Sequence, residues 1–184
     1  KFIYLHPLKF SIMDSYTIQL TGVKDGSHSN SFEIKDKFFE TFAQSEISKA
    51  DIIADTILNK DGNQLSLNIK ITGVIKNIAC DICAEEITVP LSSSLTLIIK
   101  EEEHNENIAD DVIYIASQEN EVCIKNYLFE MVVLAVPKKR RHKLNSIEKG
   151  ECNKEMVNLI NKYTDKTEKS SDPRWEALKD IKLK

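Results

Sequence analysis

Residues 47–75 read ISKADIIADTILNKDGNQLSLNIKITGVI, and this stretch decides the fold. Ile47 to Leu58 is rich in β-branched and apolar residues and reads as a strand. Asp61-Gly62-Asn63 is a strong turn signal. Beyond it Leu65, Leu67, Ile69 and Ile71 alternate with polar residues, a period of two that carries a strand on to Ile75. The two runs predict a long antiparallel hairpin with one face turned to a core.

Working outward from the hairpin, Ser15 to Thr21 alternates Tyr16, Ile18 and Leu20 with polar residues and predicts a half-buried strand, broken at Gly22, Asp25, Gly26 and Ser27. Ser31 to Ile34 predicts a second, short strand. Asp36 is placed to cap a helix over Lys37 to Gln44, with Phe38, Phe39, Phe42 and Ala43 on one core-packing face. On the C-terminal side, Ile87 to Lys100 holds two extended runs, around Pro90 and around Ser92 to Ser94. The acidic stretch Glu101 to Asp110 reads as a loop, and Asp111 to Ala116 as another strand.

The period then changes. Ile124, Leu128, Met131, Val132 and Ala135 share one helical face, which predicts an amphipathic helix over Val122 to Val136, ended by Pro137. A helix-like stretch follows from Asn153 to Tyr163. Asp172 then stands as an N-cap, with Pro173 at the first position of a short terminal helix. No repeat is present. The fold class predicted is α+β: a mainly antiparallel, twisted sheet with a few helices and a basic C-terminal helical segment. The expected organisation is a non-native or disordered leader over residues 1–12, with Met13 as the expected start. An α+β body follows over 13–136 and a basic segment packed on it over 137–184.

Charge supports that last division. The formal net charge is −4, but residues 137–184 carry 14 Lys and Arg against 8 Asp and Glu, whereas residues 1–136 carry 11 against 21. An acidic body with a basic end is the asymmetry expected where one end meets an anionic partner, although a solvated lysine-rich tail gives the same count. No apolar run approaches the roughly 20 residues needed to span a bilayer, so no membrane partner is expected. The opening residues, KFIYLHPLKFSI, match a secretory signal poorly. The four cysteines, Cys80, Cys83, Cys123 and Cys152, are therefore expected reduced, in the cytoplasm.

Cys80-Asp81-Ile82-Cys83 lies between two predicted strands. Two thiolates so spaced can bind one zinc ion if two further ligands join them, and His142 and Cys152 on the basic segment are the candidates. Inert thiols and a redox pair remain open. The redox reading is disfavoured because no helix follows Cys83 and because Asp81, Glu85 and Glu86 oppose a thiolate. Cys123, near the start of the predicted helix, competes as a ligand but reads better as a small buried hydrophobe. The run Lys138-Lys139-Arg140-Arg141-His142-Lys143 can contact successive phosphates. Tyr163 and Trp175 could stack on unpaired bases, although Trp175 reads better as an apolar anchor for the terminal helix. No Gly-rich phosphate loop, Gly-x-Ser-x-Gly or His-Glu-x-x-His occurs, so neither catalysis nor a small-molecule substrate is expected.

Taken together, these residues resemble the YceD family, the large ribosomal RNA subunit accumulation proteins. The resemblance is carried by Cys-Asp-x-Cys at Cys80 to Cys83, Asp110-Asp111, Leu-Ala-x-Pro at Leu134 to Pro137, Gly-x-Cys-Asn at Gly150 to Asn153, and Asp-Pro-Arg-Trp-x-x-Leu at Asp172 to Leu178. It covers nearly the whole chain from Met13. It implies a non-enzymatic role in large-subunit biogenesis and 23S ribosomal RNA accumulation, as in bacteria and plastids. The implied partner is ribosomal RNA or a large-subunit ribosomal protein. Many members carry a second Cys-x-x-Cys in the tail. Here Cys152 matches its first cysteine, Glu155 stands at the second, and His142 falls where a cysteine often stands. The implied site is a structural zinc held by Cys80, Cys83, His142 and Cys152. Lys138, Lys139, Arg140, Arg141 and Lys143, with Arg174 and Trp175, are the candidate RNA contacts. The alternative is a zinc-stapled protein-interaction module that uses the acidic body without touching RNA.

Overall fold

The computed structural model describes residues 16–43, 45–101, 111–116, 118–142 and 150–164. Its centre is a five-stranded sheet in the order β2 (Gly26–Lys35), β3 (Lys49–Asp61), β4 (Gln64–Ala79), β5 (Glu86–Glu101), β6 (Val112–Ile115). The first three pairings are antiparallel and the last is parallel. A second, two-stranded sheet joins β1 (Thr17–Gln19) to β7 (Glu121–Cys123), and the described residues also form three helices: α1 (Asp36–Glu40), α2 (Lys125–Ala135) and α3 (Lys154–Tyr163). This is the expected α+β architecture.

The alternation read from sequence sets the register. Ile52, Ala54, Thr56 and Leu58 of β3 point to the core beside Leu67, Ile69, Ile71 and Ile75 of β4, all nearly fully buried. From β5, Leu91, Leu97 and Ile99 join them. Tyr16, Ile18 and Leu20, the phenylalanines of α1, and Leu128, Met131 and Val132 of α2 close the same face into one cluster. The opposite face stays open to solvent, with Ile53, Ile57 and Ile98 exposed on it. Gly62 opens the β3–β4 hairpin at φ +56, with positive φ at the first central position, as a type II′ turn needs.

Several local expectations are corrected. The helix predicted from Val122 begins at Lys125. Val122 pairs with Ile18 instead, and Cys123 pairs with Thr17 and is exposed, not a buried hydrophobe. Asp36 does not cap α1. It is the helix's first residue, and its carboxylate accepts from the Ala50 backbone N–H (3.0 Å), which ties the helix to β3. The helix ends at Glu40, short of the expected Gln44. β2 is longer than the expected Ser31 to Ile34. The two runs of residues 87–100 are one continuous strand, with Pro90 on a stretch that has β4 on one side and no described strand on the other. The expected leader (1–12), most of the expected loop over 101–110, Lys143, and the terminal helix with Arg174 and Trp175 lie outside the described residues.

Candidate metal centre

The site starts from a defect in the β4–β5 ladder. Ile75 pairs with Val89 and Ile78 with Ile87, so Lys76 and Asn77 oppose a single residue, Thr88. Asn77 takes the left-handed conformation, φ +58, as one short polar side chain can. Such a bulge bends the strand and re-aims the chain beyond it, here into the turn that carries Cys80 and Cys83. Cys80 donates its N–H to the Glu85 carbonyl (2.8 Å), and Ala84, at φ +59, donates to the Cys80 carbonyl (2.9 Å). The two thiols face inward and are buried with Ile87 and Val89 in a small core of their own, with Ile82 packed against it.

The other two candidates come from the segment after α2. Pro137 turns the chain out of the helix, and Asp81 then holds it to the turn at three points. The Asp81 backbone N–H donates to the Arg140 carbonyl (2.8 Å). Its carboxylate accepts from the Arg140 backbone N–H (2.7 Å) and lies 3.4 Å from the guanidinium Nε. His142 comes two residues later, with Nδ1 3.5 Å from Cys83 Sγ. The chain returns at Gly150, where a Cβ would sit 3.2 Å from the imidazole Cδ2, a tight contact that would push the ring by a few tenths of an ångström. Cys152 Sγ then lies 3.8 Å from Cys80 Sγ and 3.7 Å from His142 Nδ1. Asn153 locks this return. Its amide donates to Glu85 (3.1 Å) while its side-chain oxygen accepts from the Glu155 N–H (2.9 Å) and caps α3.

The four candidate ligand atoms all lie within 4.8 Å of one another. A tetrahedral zinc with its usual bond lengths has sulfur–sulfur edges of about 3.8 Å and sulfur–nitrogen edges of about 3.5 Å. The three individual distances, 3.5, 3.7 and 3.8 Å, suit a Cys₃His set, and the other pairs lie within 4.8 Å. The electrostatics agree. Burial pushes the Cys80 thiol up, but backbone N–H groups from Cys83, Ile82 and His142, together with the His142 side chain, outweigh it and bring it down to about 6. The Cys152 thiol is pushed up to about 11 by burial and by the sulfurs of Cys80 and Cys83 beside it. Crowded thiolates destabilise one another, and a divalent cation between them removes that repulsion. Among the described residues this is the one group of at least three such ligands that could hold a metal ion. Cys123, exposed on β7, takes no part.

Residues 67–182 match the family described as large ribosomal RNA subunit accumulation protein YceD. The match spans more than half of the chain. The chain belongs to the YceD family. No curated protein and no solved structure matches it. The matched region of this YceD protein takes in β4 from Leu67 onward, the bulge, the turn and all four candidate ligands.

The basic run is less uniform than its sequence suggests. Lys138, Lys139 and Arg141 are exposed. Arg140 is partly buried, and its guanidinium faces Asp81 at 3.4 Å and Glu46 at 4.0 Å. The sequence groups Arg140 with the phosphate contacts and gives no sign of the clamp. In the same way Asp81 reads there as a charge unfavourable to a thiolate and as part of a motif, and Asn153 as part of a motif and the start of a helix-like stretch. Nothing local to either residue announces the long-range partner.

Proposed function

We propose that this YceD protein is a non-enzymatic factor in large ribosomal subunit biogenesis. It would support 23S ribosomal RNA accumulation by presenting a metal-fixed basic segment to ribosomal RNA. The family assignment supports the role in accumulation of the large-subunit RNA. The single observation that carries the finer reading is the meeting of Cys80 and Cys83 with His142, near the end of the basic run, and Cys152, beyond it, at distances that suit one zinc ion. A metal there ties residues 138–142 to the sheet. A tethered run of cations loses less entropy on binding a polyanion than a free tail does. Lys138, Lys139 and Arg141 are the exposed cations of the described part of the run, and they are the proposed phosphate contacts, with Lys143 continuing the run in sequence. The zinc's part is structural: it supplies cross-linking and charge neutralisation, and the protein's residues do the binding. Three unpaired thiols grouped as ligands fit a reducing compartment, so the proposed location is the cytoplasm.

Co-sedimentation with precursor large subunits across a salt series tests this. Association that weakens steeply with salt and is lost in a Lys138→Ala/Lys139→Ala/Arg141→Ala variant is the expected result. Association unchanged in that variant, but abolished by charge reversal on the acidic body, would transfer the role to the body and to a basic ribosomal protein.

A further inference from the structure

α3 is ten residues long and buries none of its side chains. A helix that short is marginal in water on its own, even with a cap. Met156, Leu159, Ile160 and Tyr163 recur at i, i+3, i+4 and i+7 and form one stripe. They are 37%, 47%, 42% and 74% exposed. The other side of the helix, Lys154, Val157 and Asn158, lines an open cleft of about 360 Å³ beside His142 and Cys152. The stripe therefore faces away from the metal centre, and no described element buries it.

The chain carries an occupant of matching chemistry. Beyond Thr164 a polar linker runs to Ser171, and then Asp172-Pro173 opens a segment with Trp175, Leu178 and Ile181 at three-residue spacing. Extended, the linker reaches roughly 27 Å, while α3 is about 15 Å long. The segment can thus return along the helix it departs from, by a connection of ordinary length for paired helices. We infer that residues 172–183 dock on the stripe of Met156, Leu159, Ile160 and Tyr163, forming a helical hairpin rooted at Cys152. Trp175 is then the hairpin's apolar anchor and not a platform for stacking bases. This inference does not depend on the ribosomal reading.

Trp175 is the sole tryptophan, so fluorescence of the full chain reports the docking directly. The expected emission is blue-shifted and shielded from acrylamide. A Leu159→Ser/Ile160→Ser variant should red-shift it and raise quenching severalfold, with far-UV dichroism of the sheet and metal content kept. Leu178→Ser should give the same shift without touching α3. Leu134→Ser, at an exposed position on α2, should leave emission alone. Solvent-like emission in the unmodified chain, or emission indifferent to the α3 variant, overturns the inference. So does a shift with Leu134→Ser, which would place the tryptophan on α2. A blue shift that appears only at high protein concentration, or only on adding large-subunit particles, assigns the stripe to a second copy or to an external partner and equally overturns it.

Discussion

Asp81 does more for the candidate site than its position between two cysteines suggests. It makes no contact with a ligand atom, yet its backbone and carboxylate hold Arg140 on both sides of the peptide unit. That clamp delivers His142. Asp81→Ala is expected to lower stability by about 1–2 kcal/mol, since the carboxylate is a third exposed and the ion pair is partly screened. Loss of an orienting group of this kind should weaken metal binding by about 10- to 100-fold. Urea unfolding and chelator competition measure the two effects, and unchanged metal affinity would reduce the clamp to an incidental contact. His142 gives a sharper contrast. His142→Ala removes a ligand and should lose the metal. His142→Cys restores a donor at a position where the family resemblance places a cysteine, and should keep it. The ligands themselves are readable in the sequence, because thiol and imidazole are the only side chains with that affinity at that density. The groups that hold them in place are not, because a carboxylate and an amide become specific only through partners tens of residues away.

Among the elements, the β3–β4 hairpin is the clearest in the sequence, since Leu65, Leu67, Ile69 and Ile71 alternate with polar residues along a ladder of thirteen pairings. Gly73 marks where that ladder is tightest. Its φ of +159 lets it lie against β3, where a Cβ would fall 2.6 Å from Ile52 Cα and run into the Asp51 carbonyl oxygen. The obstacle is backbone, which cannot swing aside, so Gly73→Ala is expected to cost about 1–3 kcal/mol by urea unfolding. A loss near zero would mean that the strands have room to separate. The elements that the sequence misplaces share a cause. Val122 fits both a strand and a helical face, and only its pairing with β1, over a hundred residues earlier, decides for the strand. β2 is Ser-rich at the edge of the described sheet, where low apolar content hides a ten-residue strand. Pro90 splits β5 to the eye, yet an edge position tolerates it.

For the whole molecule, the charge division and the proposed metal centre would act together. The acidic body, residues 1–136, would repel a polyanion and the basic segment would attract it, so the pose of that segment decides which field a partner meets. If Lys138, Lys139 and Arg141 each neutralise one phosphate, removing all three should lower the salt dependence of particle binding by about 2 in the log–log slope for single-stranded RNA. An unchanged slope would exclude them as the contacts. The central claim is that a Cys₃His zinc staples this segment to the sheet. Native mass spectrometry of protein purified without added metal tests it most directly. One zinc ion bound per chain is expected in the unmodified protein and none in Cys152→Ser. A folded, metal-free chain whose exchange protection at residues 138–142 is indifferent to added zinc would contradict it.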